Sequence, residues 1–120
     1  MAAPNLVNVA TITGKTDTFT LTNTLTTSLV VNAAGSDDVY KINSIVAANT
    51  TTATKTVTLA IDDSTNTRKI ANAISVPANS ALVITDKNSG FYLEEGDSLE
   101  GGSNEASKID VTVAYEILTD

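Results

Sequence analysis

Between Ile109 and Ile117 the chain alternates without a fault. Ile109, Val111, Val113, Tyr115 and Ile117 take the odd positions, and Asp110, Thr112, Ala114 and Glu116 the even ones. A two-residue period with one apolar and one largely polar face is what a half-buried antiparallel strand requires. On a helix the same five apolar side chains would be scattered around the whole circumference. The rest of the chain must therefore supply the other side of the core that this strand faces.

Most of it reads the same way. Leu6 to Thr13 is a first candidate strand, ended by a turn at Gly14-Lys15, and Thr16 to Thr22 a second, with Phe19 and Leu21 on one side. Thr27 to Ala33 resumes the pattern after a break, and Ala34-Gly35-Ser36-Asp37-Asp38 is turn chemistry. In Val39 to Ala48, Ile45 falls out of phase with Tyr40 and Ile42, which implies a bulge near Asn43-Ser44 or a strand covered on both faces. Lys55 to Asp62 points Val57, Leu59 and Ile61 inward. Thr67 to Val76 places Ile70, Ile74 and Val76 in phase, and Pro77 ends it, since proline cannot donate to a ladder. In Ala81 to Thr85, Leu82 and Ile84 face one way and Val83 the other. Phe91-Tyr92-Leu93 and Ser98-Leu99-Glu100 flank an acidic turn, and a Gly101 to Asn104 loop leads into the last strand. About eight to nine strands at this spacing, with no helical periodicity, predict a single all-β domain over residues 1–120: an antiparallel β-sandwich, jelly-roll-like. Threonine dominates, with alanine, valine and isoleucine following, and its β-branched side chain, like those of valine and isoleucine, suits a pleated and half-buried surface.

Composition excludes more than it suggests. There is no cysteine and no histidine. Disulfides, thiol nucleophiles and zinc-type sites are therefore out, together with the commonest general base. Seven basic residues against fourteen acidic ones, with Arg68 the one arginine, leave a net charge of −7. That argues against nucleic acid and against anionic membrane surfaces as partners. No apolar run approaches the roughly 20 residues of a membrane span. The start Met1-Ala2-Ala3-Pro4 lacks the basic and apolar regions of a secretion signal, so synthesis in a cytoplasm is expected.

Two acidic groupings are the places to look for chemistry. Glu94, Glu95, Asp97 and Glu100 lie within a few residues of one another. A glycosidase-like pair must instead face across a cleft, in environments that split the two pKa values. Asp62-Asp63-Ser64-Thr65-Asn66 offers hard oxygens of the kind calcium takes, but without the spacing of a calcium loop, and Asp and Asn favour such turns for local reasons. Serine and threonine are abundant, yet no base stands beside them, and the six glycines form no phosphate-cradling pattern. Phe19, Tyr40, Phe91, Tyr92 and Tyr115 sit mostly at strand positions and read as core. The reading is of a non-enzyme, with no catalytic residue, metal or cofactor.

Several segments point to a family. Met1 to Val9, Ile12 to Thr16, Ser28-Leu29-Val30 and Val39 to Asn43 carry the first half of a pattern. Val76 to Ser80, Tyr92 to Leu99 and Val111 to Glu116 complete it. It resembles small structural proteins in the virions of marine tailed phages, cyanophages especially. The resemblance implies a capsid decoration (cement) protein on the virion, self-associating as a trimer and bound to the major capsid protein or other virion proteins. A neck, tail or fibre component with host-surface adhesion is the nearest alternative, and a calcium-dependent carbohydrate-binding module a third. Residues 1–9 form a candidate N-terminal arm, with Leu6, Val7 and Val9 as interface residues for strand addition to a neighbour, or for pairing within their own sheet. Calcium separates the third reading from the others. A site filled to about a hundred times its dissociation constant stabilises its fold by about 2.7 kcal/mol. A virion protein of this kind should melt at the same temperature in calcium and in chelator.

Overall fold

The computed structural model describes residues 9–25 and 27–119, with only the backbone of Thr27. They form nine strands: β1 (Thr11–Thr20), β2 (Thr27–Val31), β3 (Asp38–Asn49), β4 (Lys55–Asp62), β5 (Thr67–Val76), β6 (Ser80–Thr85), β7 (Phe91–Leu93), β8 (Ser98–Ser103) and β9 (Ile109–Thr119). A single 3-10 turn, Lys87–Ser89, precedes β7 and is capped by Asp86. One sheet has the order β1-β9-β3-β6, with β7 also paired to β3, and the other β2-β8-β4-β5. All ladders are antiparallel.

The order has a simple origin. With β7 set aside, the chain is one long hairpin folded at the β4–β5 turn. Its arms pair as β4 with β5, β3 with β6, β2 with β8, and β1 with β9. Rolling that ribbon over places β9 against β3 and β8 against β4, and closes two sheets over one core. This is the jelly-roll arrangement. The sandwich expected from strand spacing is thus the observed fold.

The core lies between the sheets. Ile42, Ile45, Ala47, Leu93, Ile109, Val111, Val113 and Tyr115 come from the first sheet, and Leu29, Val30, Val57, Leu59, Ala71, Val76 and Leu99 from the second. The alternation of β9 holds from Ile109 to Tyr115, and Ile117 packs against the edge of the same cluster. Burying one such aliphatic side chain contributes roughly 1.5–3 kcal/mol, so this cluster is the main source of stability. The phase break in β3 is a bulge at Asn43: Ile42 pairs with Tyr115, and Ser44 with Ala114. The extra residue turns Ile42 and Ile45 to the same side, and both are fully buried.

Four local expectations are corrected. Gly14-Lys15 is not a turn, because β1 runs unbroken along ten positions of β9 and the ladder overrides the local preference. The separate strands expected over Leu6–Thr13 and Thr16–Thr22 are therefore one strand, Thr11–Thr20; Leu6, Val7 and Asn8 lie outside the described residues. Ile70 and Ile74 are not core residues. They are 41% and 38% exposed; Ala71 is buried instead, while Val76 is buried as expected. Register shifts between Leu59 and its neighbours on β4, and a positive φ at Ala73, rotate this edge strand out of the simple period. Finally, Gly101 to Ser103 belongs to β8 and not to a loop. A Cβ on Gly101 would stand 2.9–3.1 Å from Leu29, Leu21 and Leu59, so glycine is there because the core already fills that space.

Two glycines give opposite predictions. A Cβ on Gly90 would sit 2.6 Å from the Ile42 carbonyl oxygen, where backbone must move, whereas one on Gly14 meets nothing within 4 Å. Gly90→Ala should destabilise by about 1–3 kcal/mol through this overpacking. Gly14→Ala should stabilise by about 0.4–1 kcal/mol through loss of unfolded-state freedom. Urea midpoints of the two variants check both signs.

Candidate functional site

The acidic residues singled out in the sequence do not converge. Glu94 to Asp97 turns the chain from β7 into β8. The Glu94 N–H donates to Asp97 Oδ2 and the Asp97 N–H to the Glu94 carbonyl, both at 2.9 Å, while Gly96 takes φ +87°. Glu95 Oε2 accepts from the Gly35 N–H at 3.1 Å, tying the turn to the β2–β3 loop. Ser64 Oγ donates to the Gly96 carbonyl at 2.7 Å from the β4–β5 turn. In that second turn Asp62 Oδ1 accepts from the Ser64 N–H, and Asp63 Oδ1 from the N–H groups of Thr65 and Asn66. The Asn66 bond, then the Thr65 bond, hold the Asp63 carboxyl below the usual carboxylate range. The Asp62, Asp63 and Asp97 oxygens are committed to their own turns, and Glu95 Oε2 to the β2–β3 loop. Among the described residues no three Asp, Glu, His or Cys side chains are placed to hold a metal ion.

Glu100 stands apart from the other three. It lies on the outer face of β8 opposite Ala60 and Ser28, yet is only 8% exposed. Burial first, then the charge of Asp62 and a hydrogen bond with it, raise the Glu100 pKa above the ordinary carboxylate value. Tyr115 is another shifted group in the sandwich. Its hydroxyl donates to Asp17 Oδ2 at 2.5 Å, and its ring stacks on Tyr40 with centroids 5.7 Å apart. Burial, followed by the Asp17 hydrogen bond and charge, raises its pKa strongly. Of the five aromatics, Tyr92 is exposed and the other four pack in or against the core.

Sequence reasoning missed two buried asparagines that close the ends of the sandwich. Asn32 Nδ2 donates to the carbonyls of Asp38 (2.9 Å) and Leu93 (3.0 Å), and its Oδ1 accepts from Ser36 Oγ. Its backbone joins the same turn, accepting from Gly96 N–H and donating to the Asp97 carbonyl. At the far end of β3, Asn49 Nδ2 donates to the carbonyls of Ala53 and Val76, and its Oδ1 accepts from the backbone and hydroxyl of Thr51. Asparagine is common in loops, so nothing in its sequence position marks a buried hub.

The surface best suited to a partner is the outer face of the first sheet. Cross-strand register lines up Thr16, Ala114 and Ser44 in one row, and Thr18, Thr112, Val46 and Val83 in the next. A third row holds Thr20, Asp110, Ala48 and Ala81, with Thr20 Oγ1 donating to Asp110 Oδ1 at 2.9 Å. Asp110 is the one charged side chain in these three rows; the others are small and uncharged, with little to desolvate, and Val83 is 58% exposed. Beyond them Lys41 and Glu116 stand opposite each other on the same face. Of the arm residues expected at an interface, Leu6 and Val7 lie outside the described residues. Val9 is half-buried just before β1, where the Ala10 N–H donates to the Thr119 carbonyl.

No protein-family model and no curated protein matches this chain. Among solved structures it is similar to a crystal structure of a pentameric capsid protein from metagenomic phage sequences, at 19% identity and a TM-score of 0.43. That match covers 98% of this chain and 64% of the other, so this chain spans less than two thirds of its length. A second pentameric capsid protein of the same origin matches at 22% identity and a TM-score of 0.40, over 98% and 68% of the two chains. Likeness at this level transfers no role.

The buried carboxyl gives a prediction with an unusual sign. A carboxyl whose folded pKa is raised contributes stability that is fully present below its unfolded pKa and lost as pH rises through the folded value. Ionised Glu100 is therefore a net cost at neutral pH. Glu100→Gln should raise the urea midpoint at pH 7, and the gain should vanish below about pH 4, where the wild-type carboxyl is protonated in both states.

Proposed function

We propose that this chain is a non-enzymatic structural protein of a tailed-phage virion, a capsid decoration protein that docks on the shell and bridges its subunits. The observation that carries the reading is the run of small side chains, with Asp110 the one charge among them, across the outer face of the first sheet on an otherwise acidic molecule. Turn and loop carboxylates are engaged locally, Asn32 and Asn49 brace the ends, and this face is what remains for a partner. The resemblance to marine-phage virion proteins supports the same assignment. So does the jelly roll, a fold used by viral capsid domains, though also by lectins, so it counts as analogy only. In this reading the protein is a single domain that self-associates, as a trimer on the strength of the resemblance, and the arm at residues 1–9 reaches a neighbour through Leu6, Val7 and Val9.

Purified particles test the reading directly. A copy number on the scale of the shell subunits is expected; one on the scale of a single vertex ring would move the protein to the neck or tail. Val83→Asp should leave the melting temperature unchanged while lowering occupancy on shells. Removing residues 1–9 should leave the sandwich folded and weaken assembly. Unfolding of that variant would instead make the segment a strand of its own sheet.

A further inference from the structure

We propose that the free edge of β1 is a self-pairing site, at which a second copy of this chain adds its own β1 antiparallel about a two-fold axis through Thr16. The strand is ten residues long and pairs with β9 alone on its inner side. Among the described residues no strand covers its other edge. Thr11 to Thr16, Thr18 and Thr20 are exposed, which is unusual for a strand of this length in a sandwich.

Backbone geometry fixes which residues are available. The Leu21 N–H donates to the Ile109 carbonyl at 2.9 Å, continuing the register that sets Thr20 against Asp110. Backbone pairing alternates along an antiparallel ladder. Phe19, Asp17, Lys15 and Thr13 therefore direct their backbone groups to β9, while Thr20, Thr18, Thr16, Gly14 and Ile12 direct theirs outward. An axis at Thr16 sets Thr16 against Thr16 of the second copy, Gly14 against Thr18 and Ile12 against Thr20. Every hydrogen-bonded pair is then formed by residues whose backbone groups already point out.

The same register is the one that charge selects. Lys15 and Asp17 are the charged residues of β1, and they share a face. Pairing about Thr16 sets Lys15 of each copy opposite Asp17 of the other, twice, at the closely spaced non-hydrogen-bonded positions. Asp17 is already oriented by the Tyr115 hydroxyl on one oxygen. A slip of two residues in the facing strand would break both pairs. Two acidic molecules thus meet along an edge whose own charges cancel. Such a contact is isologous and closes on itself, so it joins two chains or two oligomers and does not build a ring. It is independent of the virion reading and applies to the free protein.

The absence of native cysteine makes the test clean. In the proposed pair the two Thr16 Cα atoms lie about 5.5 Å apart, within disulfide range, whereas the two Thr18 Cα atoms are about 14 Å apart. Under mild oxidation of concentrated, folded protein, Thr16→Cys should form a disulfide-linked pair and Thr18→Cys should remain a single chain. Adding Lys15→Glu to Thr16→Cys should abolish the link, because it sets carboxylates opposite each other at both positions. Both side chains are exposed, and unchanged melting temperatures confirm that the variants fold. The proposal is overturned if neither cysteine links, if Thr18→Cys links as readily as Thr16→Cys, or if Lys15→Glu leaves the link intact. In those cases Lys15 serves only to keep the edge from pairing.

Discussion

Everything in this sandwich hangs on the ladder between β3 and β9. Among the described residues it is the ladder that joins the β1–β9 and β3–β6 pairs of the folded ribbon into one sheet, and it runs from Asp38–Thr119 to Asn49–Ile109. An uninterrupted ladder would have turned either Ile42 or Ile45 outward, since their spacing is odd. The bulge at Asn43 absorbs one residue, and the two largest apolar side chains of β3 then meet Tyr115 and Val113 on the same side. Asn43 also donates to Glu116 Oε1 at 3.2 Å across the ladder, so the displaced residue has a partner in the strand it bulges away from. The β9 alternation needs this adjustment to find a matching wall.

Polar side chains do a different job here from the one their abundance suggests. Asn32 and Asn49 each satisfy carbonyls that the ends of the sandwich would otherwise bury without partners, a cost of about 1–3 kcal/mol per group. Asp63, Glu95 and Asp97 hold turns. Glu100 runs against this economy: it is buried on the outer face near Asp62 and pays in desolvation. With most acids placed this way, the sparse charge of the rows around Val46 and Thr112 on the outer face belongs to four strands together and to no single one.

That difference explains what could be read from the chain before its structure. β4 and β5 are bounded correctly by the turn residues and Pro77 that punctuate them; β9 is legible from its period, but it runs two residues past Ile117. The bulge in β3 was visible as a phase error. Gly14-Lys15 misled because local turn chemistry was weighed without the ten-residue ladder that overrules it, and Gly101 because its need is to make room for three leucines from distant segments. Ile70 and Ile74 misled because the kink at Ala73 has no signature in alanine itself. The acidic stretch was legible as a turn, but the half-burial of Glu95 and Asp97 and the burial of Glu100 were not, since they depend on neighbours from other segments. The rows of small side chains on the outer face were invisible for the same reason: their members come from four strands, and each strand alone looks merely threonine-rich.

The rolled-hairpin order also sets a sequence of events. Asp62 and Thr67 meet across a short turn, Asn49 and Ser80 across the span that includes it, and Val31 and Ser98 across a longer one; Thr20 and Asp110 enclose them all. Closing a loop costs more the longer it is, but each inner pair, once zipped, shortens the effective loop for the next. The cheapest entry to the fold is therefore the β4–β5 tip, and β1 joins last, when β9 is already in place. A chain built this way gathers slowly, as topologies dominated by distant pairings do, and the last strand to join is also the one left with an open side.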